Sequence, residues 1–362
     1  MRIILFSILA LLSGVSISAQ LVSGFQKEEY LECLRIASHF KNGMIEDKYK
    51  CETPKEYERI YESPTMGFDN KWELWENKEK KIFLVSLRGS VPTQVSWFAN
   101  FHAGLLPAQG KYHLVEDYDY KLCEDGKALV HAGWLGSVLS LSKDIEAKID
   151  SCYKAGMRDC ILTGHSQGGA ICALLTAYLL QKQKDGLIAA DIRFKTYCSA
   201  APKPGDYRFA MQYDRMTRGG WAFNVVNADD WVPETPLSVQ TPDDFNETSP
   251  FRRVDDMVKA ADMKGMDKLK IKMLIRLLKT PTRKSEKRLT KYLGYTMADM
   301  LSDLGVDYGK PALVHCANFQ RAGVTIVLMP DEQYHQAHKY YADDIFEHHM
   351  FVAYMDLAVR DL

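Results

Sequence analysis

Apolar residues run almost unbroken from Ile3 to Val15, behind the basic Arg2 and ahead of Ser16-Ile17-Ser18-Ala19. A positive start, an apolar centre and a small-residue end predict a secretory signal over residues 1–19, cut after Ala19 or one residue earlier, after Ser18. The run is too short for a spanning helix, which needs roughly 18 apolar residues, and no later stretch reaches that length. The mature chain is therefore expected to be soluble and exported, extracellular or periplasmic.

Beyond the signal, the pattern alternates between short β-type runs and helical periods. Residues 26–62 are charged and helical in period and predict an N-terminal helical cap. Two β-rich runs, Lys71 to Trp75 and Lys81 to Arg88, flank the polar Glu76-Asn77-Lys78-Glu79 and predict a hairpin. Val138 to Ile149 has helical period, Asp159 to Thr163 reads as a short buried strand, and Gln167 to Gln181 as an Ala/Leu-rich helix. Phe194 to Cys198, Ala222 to Val226 and Val324 to Met329 add strands, and Met350 to Leu357 a terminal helix. Strands alternating with helices predict an α/β fold with a mostly parallel central sheet and helices on both faces. Residues 20–362 are expected to form one domain, interrupted at about 251–308 by a helical insertion.

That insertion carries an unusual charge. From Lys264 to Lys291 it holds eleven Lys/Arg against Asp267 and Glu286, in a chain whose net charge is −1. On a helix, Lys268, Lys272, Arg276 and Lys279 share one face and Ile271, Leu274, Ile275 and Leu278 the adjoining one, until Pro281 ends the run. Two roles stay open. The apolar face packs on the domain and the basic face is solvated, or the helix makes peripheral contact with an anionic membrane or lipid surface.

Composition narrows the picture without deciding it. Hydrophobic residues at 46% and charged residues at 26% are those of a globular enzyme, and nothing suggests a nucleic-acid partner. The eight cysteines leave room for disulfides in an oxidising compartment, although Cys160 and Cys172 sit in apolar contexts that favour buried free thiols. No Cys/His cluster has metal-ligand spacing, so neither a metal nor a cofactor is expected.

The chemistry concentrates at Gly164-His165-Ser166-Gln167-Gly168, a G-x-S-x-G pattern lying between a strand and a helix. A serine on so sharp a turn needs glycine two residues before and two after, because the turn closes only without side chains there. The helix that follows points its first N–H groups at the place where negative charge develops in acyl transfer.

Around this elbow lie Arg88-Gly89-Ser90, His131-Ala132-Gly133-Trp134, Pro202-Lys203-Pro204-Gly205, Asp230-Trp231-Val232-Pro233, and His349 with Tyr354 five residues on. In that order these motifs resemble the class 3 (fungal-type) lipase family of the α/β-hydrolase superfamily. The long insertion departs from the family's short connection. The resemblance implies Ser166 as nucleophile, His349 as general base and acid, and Asp230 as the residue that orients the imidazole. Asp229 is the alternative acid and His348 the alternative base. It also implies an oxyanion hole made by the N–H of Gln167 and by Ser90, with His131 and Arg88 in structural roles. Trp97, Phe98 and Phe101 sit where the family carries a lid, and their spacing fits a mobile amphipathic cover or a fixed helix equally. The implied activity is hydrolysis of lipid esters. Acylglycerols come first, phospholipids (A1-type) next and feruloyl-type esters third; a non-catalytic lipid-binding relative is the remaining reading.

Overall fold

The computed structural model describes residues 21–40, 47–250, 252–253, 256–258, 265–339 and 344–362. The expected signal segment lies outside them.

Seven strands form the central sheet: β1 (Glu58–Glu62), β2 (Trp72–Asn77), β3 (Ile82–Leu87), β4 (Asp159–His165), β5 (Arg193–Ser199), β6 (Ala222–Asn227) and β7 (Val324–Leu328). They lie side by side in chain order. The first three are antiparallel neighbours, and each pairing from β3 to β7 is parallel. The expected hairpin is β2–β3, closed between Asn77 and Ile82. β3 and β4 are buried along their whole length, as strands covered on both faces must be.

Helices α1 (Lys27–Ser38) and α7 (Phe351–Asp361) cover one face, while α3 (Ala132–Lys154) and α4 (Gln167–Lys184) cover the other. Between α3 and α1 in space, the sheet thus separates two apolar cores, one holding Leu135, Leu162 and Leu174, the other Tyr30, Leu84 and Tyr354. Two further helices matter below: α2 (Gln94–Phe101), and α6 (Gly265–Leu289) in the insertion; α5 (Tyr207–Met216) follows the Pro-rich loop. This is the α/β-hydrolase arrangement expected from the sequence.

Buried polar contacts fasten α1 to the sheet. Lys195 of β5, fully buried, donates to the backbone oxygen of Val22 at 2.8 Å and pairs with Glu29 at 2.6 Å. Removing Glu29 would leave the buried Lys195 charge without its ion-pair partner, which costs about 3–5 kcal/mol.

Three expectations are corrected. The helical cap stops at Ser38, apart from a turn at Asp47–Tyr49, and residues 58–62 form an edge strand. Its charges gave it a helical look, yet they serve the edge, where Arg59 pairs with Glu73 at 2.5 Å and Lys78 with Glu58 at 2.8 Å. Pro281 does not end its helix, because α6 runs through it to Leu289, with the Thr282 hydroxyl donating to the Lys279 carbonyl in the disturbed turn. Lys279 is only 8% exposed, so it leaves the basic face assigned to it. Outside the central sheet, Gln109–Leu114 and Glu116–Lys121 form a separate antiparallel pair. All eight cysteines are free thiols, Cys160 and Cys172 buried among them.

Candidate active site

Ser166 stands at the end of β4 with φ 59° and ψ −130°, a conformation costing about 1–3 kcal/mol that persists only where its surroundings impose it. The glycines show how it is imposed. A Cβ on Gly164 would come within 2.2 Å of the Gly168 oxygen, and one on Gly168 within 2.3 Å of the Leu87 oxygen. Helix α4 begins at the next residue, Gln167, so its N-terminal N–H groups lie beside the serine.

Asp230 and His349 meet 119 residues apart in the chain, with His349 Nδ1 2.7 Å from Asp230 Oδ2. Both are buried. Asp230 Oδ2 also accepts from the Tyr354 hydroxyl at 2.7 Å, and Oδ1 from the Val232 N–H at 2.9 Å. The carboxylate is thus fixed by two donors besides the imidazole it faces. The alternatives lie elsewhere: Asp229 pairs with His335 at 2.7 Å on the surface, and His348 Nδ1 bonds the Tyr334 hydroxyl at 2.8 Å. Ser166, Ser90 and His349 line one cleft.

Asn100 of α2, which sequence reasoning passed over, organises the opposite wall. Its amide donates to Ser90 Oγ at 2.8 Å, while its side-chain oxygen accepts from Gln167 Nε2 at 2.8 Å and from the Trp134 indole at 3.0 Å. Both candidate oxyanion residues therefore hang on one side chain. Its backbone oxygen accepts from His131 Nε2 at 3.1 Å, and His131 Nδ1 accepts from the Trp134 N–H at 3.3 Å. Burial first, then the neighbouring His102, holds His131 well below the ordinary histidine range, so it is a neutral structural group. Arg88, also buried, donates to the Asp69 carbonyl at 2.7 Å.

The same bonds pin α2. Gln167 Nε2 donates to the Ser96 carbonyl at 3.1 Å, and Ser96 and Ala99 are buried. Gly133 is glycine because a Cβ there would meet the Ala99 oxygen at 2.0 Å. Helix α2 is a docked wall with Trp97 and Phe101 stacked on its outer side, ring centroids 6.0 Å apart.

Trp97 and Phe346, 6.3 Å apart, divide the cleft over Ser166 into two mostly apolar arms. One, of about 610 Å³, runs toward Phe40 of the N-terminal region and Phe351. The other, of about 890 Å³, runs past Trp134 and Trp231 to Leu237 and to Leu293 of the insertion. Ester hydrolysis requires a nucleophile, a base held in one tautomer and donors for an oxyanion, and residues suited to each role converge here.

Residues 84–240 match the family described as Lipase (class 3). The chain is 29% identical over 163 residues to secreted mono- and diacylglycerol lipase 1 of Fusarium solani, covering 44% of this chain and 41% of that protein. It is 36% identical over 110 residues to secreted mono- and diacylglycerol lipase 3 of Gibberella zeae, covering 30% and 33%. The aligned regions thus span less than half the length of either relative. Among solved structures, Rhizomucor miehei triacylglyceride lipase is similar at 21% identity and a TM-score of 0.42, over 59% of this chain and 77% of that one. The family match takes in Ser90, the elbow and Asp230, whereas His349 lies beyond it and is located by its contact with Asp230. In sequence, in the order of its motifs and in the build of its elbow, the segment over residues 84–240 is similar to the class 3 lipase family.

Proposed function

We propose that the protein is a secreted serine hydrolase of lipid esters, acting on acylglycerols. The observation that carries this reading is the buried Asp230–His349 pair at 2.7 Å, whose His349 lines a cleft with a strained serine at a helix N-terminus. Ser166 attacks the ester carbonyl, and His349 takes its proton and passes it to the leaving alcohol. Asp230 holds the proton on Nδ1, leaving Nε2 free to accept. The oxyanion that forms meets the N–H of Gln167 and Ser90, whose hydroxyl Asn100 orients. The acyl-enzyme is then hydrolysed by water through the same base.

The apolar lining of both arms supports a lipid ester over a sugar-linked one, with the larger arm taking the acyl chain and the arm beside Phe40 the alcohol side. The printed names of the two fungal relatives, secreted mono- and diacylglycerol lipases, support acylglycerol and export. Among the described residues no helix is long and apolar enough to cross a membrane.

We also propose that α6 brings the enzyme to anionic lipid. Met266, Leu269, Met273 and Leu277 form a stripe in which each is 57–66% exposed, flanked by the exposed Lys272 and Arg276. Ile271 and Ile275, assigned to the apolar face from sequence, are half-buried instead. An apolar stripe with cationic flanks suits the headgroup boundary, where each basic residue contributes roughly 1 kcal/mol.

The test is an activity panel of short- and long-chain acylglycerols, phospholipids and feruloyl esters, with Ser166→Ala as blank. Highest turnover on acylglycerols is expected. Preference for phospholipid moves the substrate assignment to an A1-type activity, and turnover of none of them removes the enzymatic reading.

A further inference from the structure

Separate from the Ser166 cleft, another of about 1140 Å³ gathers Asp244, Glu286 and Cys316. One ligand atom of each lies within 4.8 Å of the other two. They come from three separate places: a short turn at Pro242–Asp244, the C-terminal half of α6, and the chain ahead of β7. No local spacing announces them, which is why sequence reasoning expected no metal.

Two observations mark the cluster out. Glu286 is 94% buried (6% exposed), and among the described residues its carboxylate has no hydrogen-bond or ion-pair partner, although it faces a second carboxylate and a thiol. Its oxygens open into the cleft with no protein donor beside them, as a site for a cation would present them. Three cations of the cleft are engaged elsewhere, while Lys287 lines it without a hydrogen bond to Glu286. Arg283 forks onto Asp243 at 2.8 and 2.9 Å, Lys127 pairs with Glu247 at 2.7 Å, and Arg252 donates to the carbonyls of Asp243 and Phe245 at 3.1 and 2.9 Å. Asp244, by contrast, presents Oδ1 to the Cys316 thiol at 3.4 Å, while its other oxygen is held by the Thr241 N–H at 2.5 Å.

We propose that Asp244, Glu286 and Cys316 bind one divalent zinc-class cation. Thiolate with carboxylate selects a borderline metal over calcium or magnesium, which prefer oxygen alone. Binding replaces the Cys316 S–H bond with a sulfur–metal bond and releases the proton to solvent. With three protein ligands, a fourth position is left to water. Because α6 supplies one ligand and the hydrolase body two, the ion staples the insertion to the domain. The inference stands apart from the esterase reading, since none of the three residues lines the Ser166 cleft.

The full mature chain, stripped with chelator and dialysed, tests this with zinc and cobalt ions alone. One equivalent of zinc retained per chain, a higher thermal midpoint with zinc than with chelator, and a thiolate-to-cobalt charge-transfer band are expected. Cys316→Ser should abolish the band, and the near-isosteric Glu286→Gln should weaken zinc binding at least about tenfold. Circular dichroism confirms that each variant is folded. Wild-type protein with no stoichiometric zinc and no charge-transfer band overturns the proposal even where a variant fails to fold. So does a band that survives in folded Cys316→Ser, which would place the metal on another cysteine.

Discussion

His165 Nε2 donates a 2.8 Å hydrogen bond to the backbone oxygen of His349, joining the elbow to a loop 184 residues later. The imidazole also bonds Ser199 Oγ at 3.1 Å and lies over the Phe351 ring, centroids 4.2 Å apart. The variable position of the elbow motif therefore sets where the candidate base sits. His165→Ala should lower kcat by about 10²-fold, as a displacement near 1 Å does, with a smaller change in KM. Steady-state kinetics on a soluble short-chain ester checks this, and kcat within twofold of wild type would remove His165 from the positioning role.

Burial, and after it the His349 charge, holds His165 well below the ordinary histidine range. A base depressed in the folded state is protonated first on unfolding. Its contribution to stability is therefore complete above about pH 6.5 and declines as pH falls toward the folded value, by about 1.4 kcal/mol per unit. Urea unfolding at pH 7 and pH 5 should show wild type losing more stability than His165→Gln, by about one proton's worth. Parallel losses in the two proteins would contradict the assignment.

Asn100 joins Ser90, Gln167 and Trp134, so removing its side chain should loosen both oxyanion residues and the seat of α2. Asn100→Ala should cost kcat about 10-fold or more, less than the 10²–10³ typical of losing an oxyanion donor itself. In wild type, the pinned helix predicts a smooth saturation curve as a neutral ester passes its aggregation threshold. A jump in rate there would restore the mobile-cover reading of Trp97 and Phe98.

Vesicle sedimentation tests the role of α6. Protein should pellet with anionic but not zwitterionic vesicles, and added salt should weaken the binding, because charge attraction is screened and apolar packing is not. Changing Lys270, Lys272 and Arg276 together to Gln should remove binding while leaving turnover of a soluble ester intact. Undiminished binding by that variant would leave the helix a solvated face.

What was legible in the sequence follows from the range of the interactions. The elbow could be read because Gly164, Ser166 and Gly168 answer a constraint confined to one turn. β3 and β4 show themselves as short, largely apolar runs, since burial on both faces favours apolar residues. Residues 58–62 misled because an edge strand keeps charges on display, so its pattern is set by solvent and not by the core. Asn100 and His165 act through bonds to residues distant in the chain, and Glu286 meets Asp244 and Cys316 only after folding. The exposed stripe of α6 was misplaced by about one residue in the helical wheel, because several apolar residues on both sides of the basic row fit the period.

The central claim, that Ser166 is a nucleophile activated by His349 and Asp230, is tested most directly by fluorophosphonate labelling followed by peptide mapping. Wild type should carry a single label, on Ser166, because it is the serine raised on the strained elbow beside the buried pair. Ser166→Ala should lose label and turnover together, and His349→Ala should label far more slowly while remaining folded. Labelling that persists in Ser166→Ala, or maps to another serine in wild type, would contradict the account.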